Sequence, residues 1–108
     1  MRPEEPVRTY ETMLLCDPRR DDAELGQTLD RFGALISERG GEVRNVDKWG
    51  RRKLAGEVAD LSEGYYAVVT YDLDPARRPD LDAALPFVEG LVRTKTIRRD
   101  LRERRAKA

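Results

Sequence analysis

Tyr65-Tyr66-Ala67-Val68-Val69-Thr70-Tyr71 is made almost wholly of β-branched and aromatic residues, the composition that packs best on a pleated surface, and reads as a strand. Ahead of it Asp60 to Gly64 reads as a turn. Before that, Glu42 to Val58 is a long extended stretch, interrupted by Gly50 and Gly56, which predicts a bent or bulged strand. Two strands thus follow one another with no helix between them. Behind the quoted stretch, Asp74-Pro75 opens a helix, with Asp as cap and Pro at the first helical position. Leu81, Leu85 and either Ala84 or Val88 supply its apolar side. Pro79 disfavours a regular first turn, leaving Asp80 as a later cap, and Pro86 keeps the helix short.

Further out, Val7 to Cys16 reads as a strand. Tyr10, Thr12, Leu14 and Cys16 share one face and Met13 and Leu15 the other, and apolar residues on both faces predict an interior position. Asp17-Pro18 ends it. Asp21 and Glu24 have capping-box spacing, and Leu25, Leu29, Phe32 and Ile36 form one helical stripe. Gly40-Gly41 closes that helix, since glycine takes the left-handed conformation without a Cβ penalty. Leu91 to Arg98 is the last strand. The order β-α-β-β-α-β is the ferredoxin-like split unit, an α+β fold: a four-stranded antiparallel sheet with both helices on one face. The other face, or an exposed edge strand, is then the natural docking surface. Residues 1–98 are expected to form one domain, with an irregular lead over 1–6, and residues 99–108 a basic tail.

The chain has 108 residues, of which 39% are charged and 6% aromatic, enough for one modest core under a wet surface. Its zero net charge conceals a division: residues 93–108 carry +6 and residues 1–92 carry −6. Separated fields of this kind suit contact with a polyanion at one edge of the molecule. Cys16 is the sole cysteine and there is no histidine, which excludes an internal disulfide, a histidine-activated thiol and an ordinary zinc site. No apolar run approaches the roughly 20 residues of a membrane span, and the N-terminal residues resemble neither a signal nor a transit segment. A soluble protein with no cofactor and no metal is expected. The acidic residues serve helix starts, and Gly40-Gly41 lacks the strand-GxxxxGK[ST]-helix pattern of a phosphate loop.

The densest functional pattern is Lys48-Trp49-Gly50-Arg51-Arg52-Lys53-Leu54-Ala55. Cations neutralise phosphates and release counterions, while a Trp or Arg plane can stack on an unpaired base. In the last strand Arg93, Lys95 and Ile97 share one face, and Val92, Thr94 and Thr96 the other. If the second set packs on the helices, Arg93 and Lys95 project from the open face.

Asp47-Lys48-Trp49-Gly50-Arg51-Arg52-Lys53-Leu54-Ala55 resembles the signature stretch of the bacterial small-subunit ribosomal protein six family. Arg8-Thr9-Tyr10-Glu11 with Asp17-Pro18, Gly40-Gly41-Glu42-Val43, Gly64-Tyr65-Tyr66 and Leu91-Val92-Arg93-Thr94-Lys95 resemble further family segments, in order, from about Arg8 to Arg99. Gly56 departs from the pattern, standing where the family usually has tyrosine, which puts any partner surface built on that ring in question. The resemblance implies a non-catalytic constituent of the small ribosomal subunit, in the cytoplasm. Such a protein binds the central domain of small-subunit ribosomal RNA as a heterodimer with small-subunit ribosomal protein eighteen. It also implies RNA contact by Arg8 and Tyr10, by Arg51, Arg52 and Lys53, and by Arg93, Lys95 and Arg98, beside Lys48 and Trp49 of the basic stretch. Tyr10 has the parity of Leu14 and is equally a core candidate. Two other functions share the fold. One is a regulatory ligand-binding module. The other is an acylphosphatase-type hydrolase, for which Arg19-Arg20 stands at the right place but in a loop without glycines.

Overall fold

The computed structural model describes residues 7–58 and 60–99. The lead over 1–6 and the tail beyond Arg99 lie outside the described residues. The elements run β1 (Arg8–Cys16), α1 (Asp22–Glu38), β2 (Glu42–Val58), β3 (Leu61–Leu73), α2 (Arg78–Ala84) and β4 (Leu91–Arg98), with one turn of 3-10 helix on either side of α2. The strands form one antiparallel sheet in the order β2-β3-β1-β4, with β1 and β3 central as the two-faced apolar pattern of β1 requires.

Local chemistry sets most boundaries. At α1 the Asp21 carboxylate accepts from the Glu24 amide, and Glu24 accepts from the Asp21 amide in return. The helix ends in a Schellman motif: Gly40, at φ +80°, donates to Ser37, and Gly41 donates to Ile36. The entry to α2 corrects the expectation of a cap at Asp80. Asp74 caps the 3-10 turn Pro75–Arg77, and α2 then starts at Arg78 with Asp80 inside its first turn. Pro79 lacks an amide hydrogen, so it fits the first turn, where none is needed. Pro86 stops α2 at seven residues.

One boundary differs from the expected one. Asp60 to Gly64 is not a turn: β3 already begins at Leu61, and the reversal is at Asp60, with φ +64°. Gly64 is needed for space, because a Cβ there would collide with the Leu15 side chain. The β2–β3 pair therefore continues past the sheet as a two-stranded arm.

The core lies between the sheet and the helices. Tyr71 is its centre, edge-on to Phe32 at 5.9 Å and tilted against Tyr10 at 5.8 Å. Burial raises the Tyr71 hydroxyl pKa above its ordinary value, against the opposing pull of its hydrogen bond with Thr12. That hydroxyl shares a 2.8 Å hydrogen bond with Thr12, which shares another with Thr96, so three strands are tied by polar groups that would be costly to bury unpaired.

Candidate nucleic-acid interface

Register assigns each candidate residue to a face. The helix side carries Tyr10, Leu14, Ala67, Val69 and Tyr71, all buried. The other side carries Glu11, Met13 and Leu15 of β1, Tyr66, Val68 and Thr70 of β3, and Arg93, Lys95 and Ile97 of β4. No helix of the described residues covers this second face. Met13, Val68 and Ile97 form the floor of a groove of about 410 Å³ there, with Trp49 and Asp47 on one rim and Lys95 on the other.

The ten sequence candidates do not form one surface. Arg93 and Lys95 are exposed on the open face, where strand parity puts them. Trp49 joins them from the opposite edge, 42% exposed, its indole N–H donating to Asp47 at 3.0 Å. Arg52 is paired in register with Gly64, and its guanidinium donates to the Trp49 carbonyl, bracing the bulge that presents the ring.

The remaining candidates lie on the helix side. Tyr10 is 3% exposed, its ring against Tyr71 and the Arg78 guanidinium 4.8 Å from its ring centre. Tyr10 is thus a core residue, as its parity with Leu14 allowed, and its ring is not offered to RNA. Arg8 is in register with Leu73, Arg98 with Tyr10, Lys48 with Ala67 and Lys53 with Glu63. Lys48 lines a groove with Asp22 and Tyr65. Arg51 is a strut: it donates to the carbonyls of Pro18 and Arg20, lies 3.8 Å from Asp22, and sits over the Tyr65 ring. It links the β2–β3 arm to the loop before α1.

A bulge produces this division. Lys48 pairs with Ala67 but Gly50 pairs with Tyr66, so Trp49 is an extra residue, and Gly50 takes φ +87°. The glycine was a visible signal of a bulge, but its register was not. The apolar floor of Met13, Val68 and Ile97 was also missed as a surface. Its signal was there in β1, whose second apolar face read only as a sign of an interior strand.

The loop after β1 engages one of the two arginines of the hydrolase alternative. Arg19 closes a two-pronged pair with Asp17, Nε at 2.9 Å and Nη2 at 2.8 Å, so its guanidinium is engaged by its own loop. Side-chain and then backbone hydrogen bonds from Arg19 pull the Asp17 carboxyl down to about 2. Among the described residues no group of three or more possible metal ligands occurs, and no helix is long and apolar enough to cross a membrane.

Known proteins resemble the chain over most of its length. The profile described as Ribosomal protein S6 matches residues 9–98. A small ribosomal subunit protein bS6 from Beutenbergia cavernae is 43% identical over 94 residues, spanning 87% of this chain and 98% of that protein. A Micrococcus luteus protein of the same name is 41% identical over 92 residues, spanning 85% and 91%. The crystal structure of 30S ribosomal protein S6 from Thermotoga maritima superposes with a TM-score of 0.82 at 27% identity, covering 95% of this chain and all of that one. In sequence and in fold, this chain belongs to the ribosomal protein S6 family, structural, non-enzymatic proteins of the small ribosomal subunit.

Proposed function

We propose that this chain binds the central domain of small-subunit ribosomal RNA together with small-subunit ribosomal protein eighteen, within bacterial cytoplasmic ribosomes. The observation that carries the reading is the open sheet face. Arg93 and Lys95 edge it on one side and Trp49 on the other, with Met13, Val68 and Ile97 between them. The cations suit phosphates and the exposed indole suits an unpaired base. The apolar floor suits a protein partner, since a patch of this kind costs solubility when left bare. Arg52 supports the Trp49 bulge, while Arg8, Lys48, Lys53 and Arg98 supply charge at the helix-side margin of the same folded unit, residues 1–98. The tail over 99–108 adds basic charge by sequence.

The test is gradient sedimentation of a native lysate probed for this protein. Co-migration with the small subunit through a moderate salt wash is the expected result. Migration as a free small protein or homodimer would remove the reading.

A further inference from the structure

The two edges of the sheet differ. β2 is broken by three register shifts, and such irregularities discourage another strand from pairing there. β4 is regular from Arg93 to Arg98 and, among the described residues, pairs on one side only, with β1, so every second backbone amide and carbonyl faces away from that pairing. The helix layer stops short of this edge. A groove of about 480 Å³ runs along it, with Val92, Thr94 and Thr96 on the strand side and Arg78, Leu85 and Pro86 on the helix side. Arg78 is ion-paired at 3.4 Å with Asp82, which also lines the groove, and lies over the Tyr10 ring.

We propose that β4 takes a fifth strand, supplied by an extended segment of another polypeptide that alternates acidic and small apolar residues. Strand addition of this kind draws affinity from the main chain and specificity from alternate side chains. On the open face the incoming residues lie beside Arg93 and Lys95, which calls for acids. On the other face they lie over Leu85, Pro86 and Val92, beside the mutually paired Arg78 and Asp82, which calls for small apolar groups that leave that pair intact. A second copy of this chain is the wrong occupant: antiparallel β4–β4 pairing about any centre near the middle of the strand sets Arg93 and Lys95 among their own counterparts. The segment draws on the two cations assigned above to RNA, so the two ligands exclude one another, but its existence does not depend on the RNA reading.

The experiment titrates the isotopically labelled full-length chain with a capped peptide of alternating valine and glutamate, followed by backbone amide resonances and amide exchange. Resonances of β4 should shift and exchange more slowly, while those of β2 stay in place. A lysine-for-glutamate peptide, or one with a central proline that cannot continue the ladder, should bind at least about tenfold more weakly. The exposed pair Arg93→Glu with Lys95→Glu should reverse the preference between glutamate and lysine peptides, with unchanged resonance dispersion showing that the fold is kept. Equal binding of both peptides, or indifference to the proline, overturns the proposal. So do shifts confined to Met13 and Val68. Movement of β4 resonances with protein concentration alone would make the edge a homodimer contact. Shifts there with a single-stranded oligoribonucleotide but not with the peptide would make it a nucleic-acid edge. Either result also overturns the proposal.

Discussion

Cys16 and Asp17 are neighbours in sequence with opposite ionisation. Cys16 is fully buried, and desolvation pushes its thiol up to about 11 against a weaker pull from Arg20. It should therefore resist alkylation in the folded protein and react promptly in denaturant, and equal labelling rates in the two states would contradict the burial. Asp17 is held at about 2, below the ordinary 3.8, by its hydrogen bonds with Arg19. A carboxylate whose folded value lies below its unfolded value contributes stability above the unfolded value and loses it as pH falls through the folded one. The stability difference between wild type and Asp17→Asn should thus be present at neutral pH, shrink as pH falls below the ordinary 3.8 and be gone only below the folded value of about 2, measured by urea unfolding across that range. Arg51 tests a different assignment. If its two carbonyl hydrogen bonds hold the arm, Arg51→Ala should cost about 1 kcal/mol, and Arg51→Lys should recover little of it, since lysine lacks the planar fork. Unchanged stability in both variants would return Arg51 to the surface charges.

Among the elements, α2 is short and holds one fully buried side chain, Leu81. Leu81→Ala should cost about 2–5 kcal/mol by urea denaturation. Two glycines give opposite expectations. Gly26 lies within α1 with open space around the position of a Cβ, so Gly26→Ala should stabilise by roughly 0.5–1 kcal/mol. At Gly41 a Cβ would come within 2.6 Å of the Asp72 carbonyl oxygen, so Gly41→Ala should destabilise by more than Gly26→Ala gains. These contrasts show what was legible at this scale. Caps, stripes and strand alternation depend on near neighbours in sequence, so α1, β1 and β4 were readable from composition and spacing. Gly64 depends on Leu15 from another strand, and a glycine required for close approach looks in sequence like a glycine required for a turn.

For the whole molecule, the proposed RNA surface is a matter of summed charge. Replacing Arg93 and Lys95 by alanine should leave stability nearly unchanged, because both are exposed, while weakening RNA binding. The salt dependence should fall by about one logarithmic slope unit for each phosphate that is no longer neutralised. Unchanged affinity with a flat salt response would move the interface elsewhere. The family and the element order were readable from end to end, and so was the exposure of Arg93 and Lys95, since β4 alternates without interruption from Arg93 to Arg98. The division of the basic stretch between two faces was not, because it turns on a single unpaired residue.

That residue has a consequence for how relatives are compared. Ahead of Trp49, Asn45 and Asp47 share a face with Val68; past it, Gly50 and Arg52 share that face with Tyr66 and Gly64. Losing that one residue would let Lys48 and Gly50 pair in succession with Ala67 and Tyr66, so the bulge and its rim indole would go while Arg51 and Arg52 kept their partners and their sides. An alignment gap at position 49 is thus the loss of a bulge and not a shift of register. Two chains with the same run of arginines can then present the same ones to the outside and differ only in whether an aromatic ring stands at the rim.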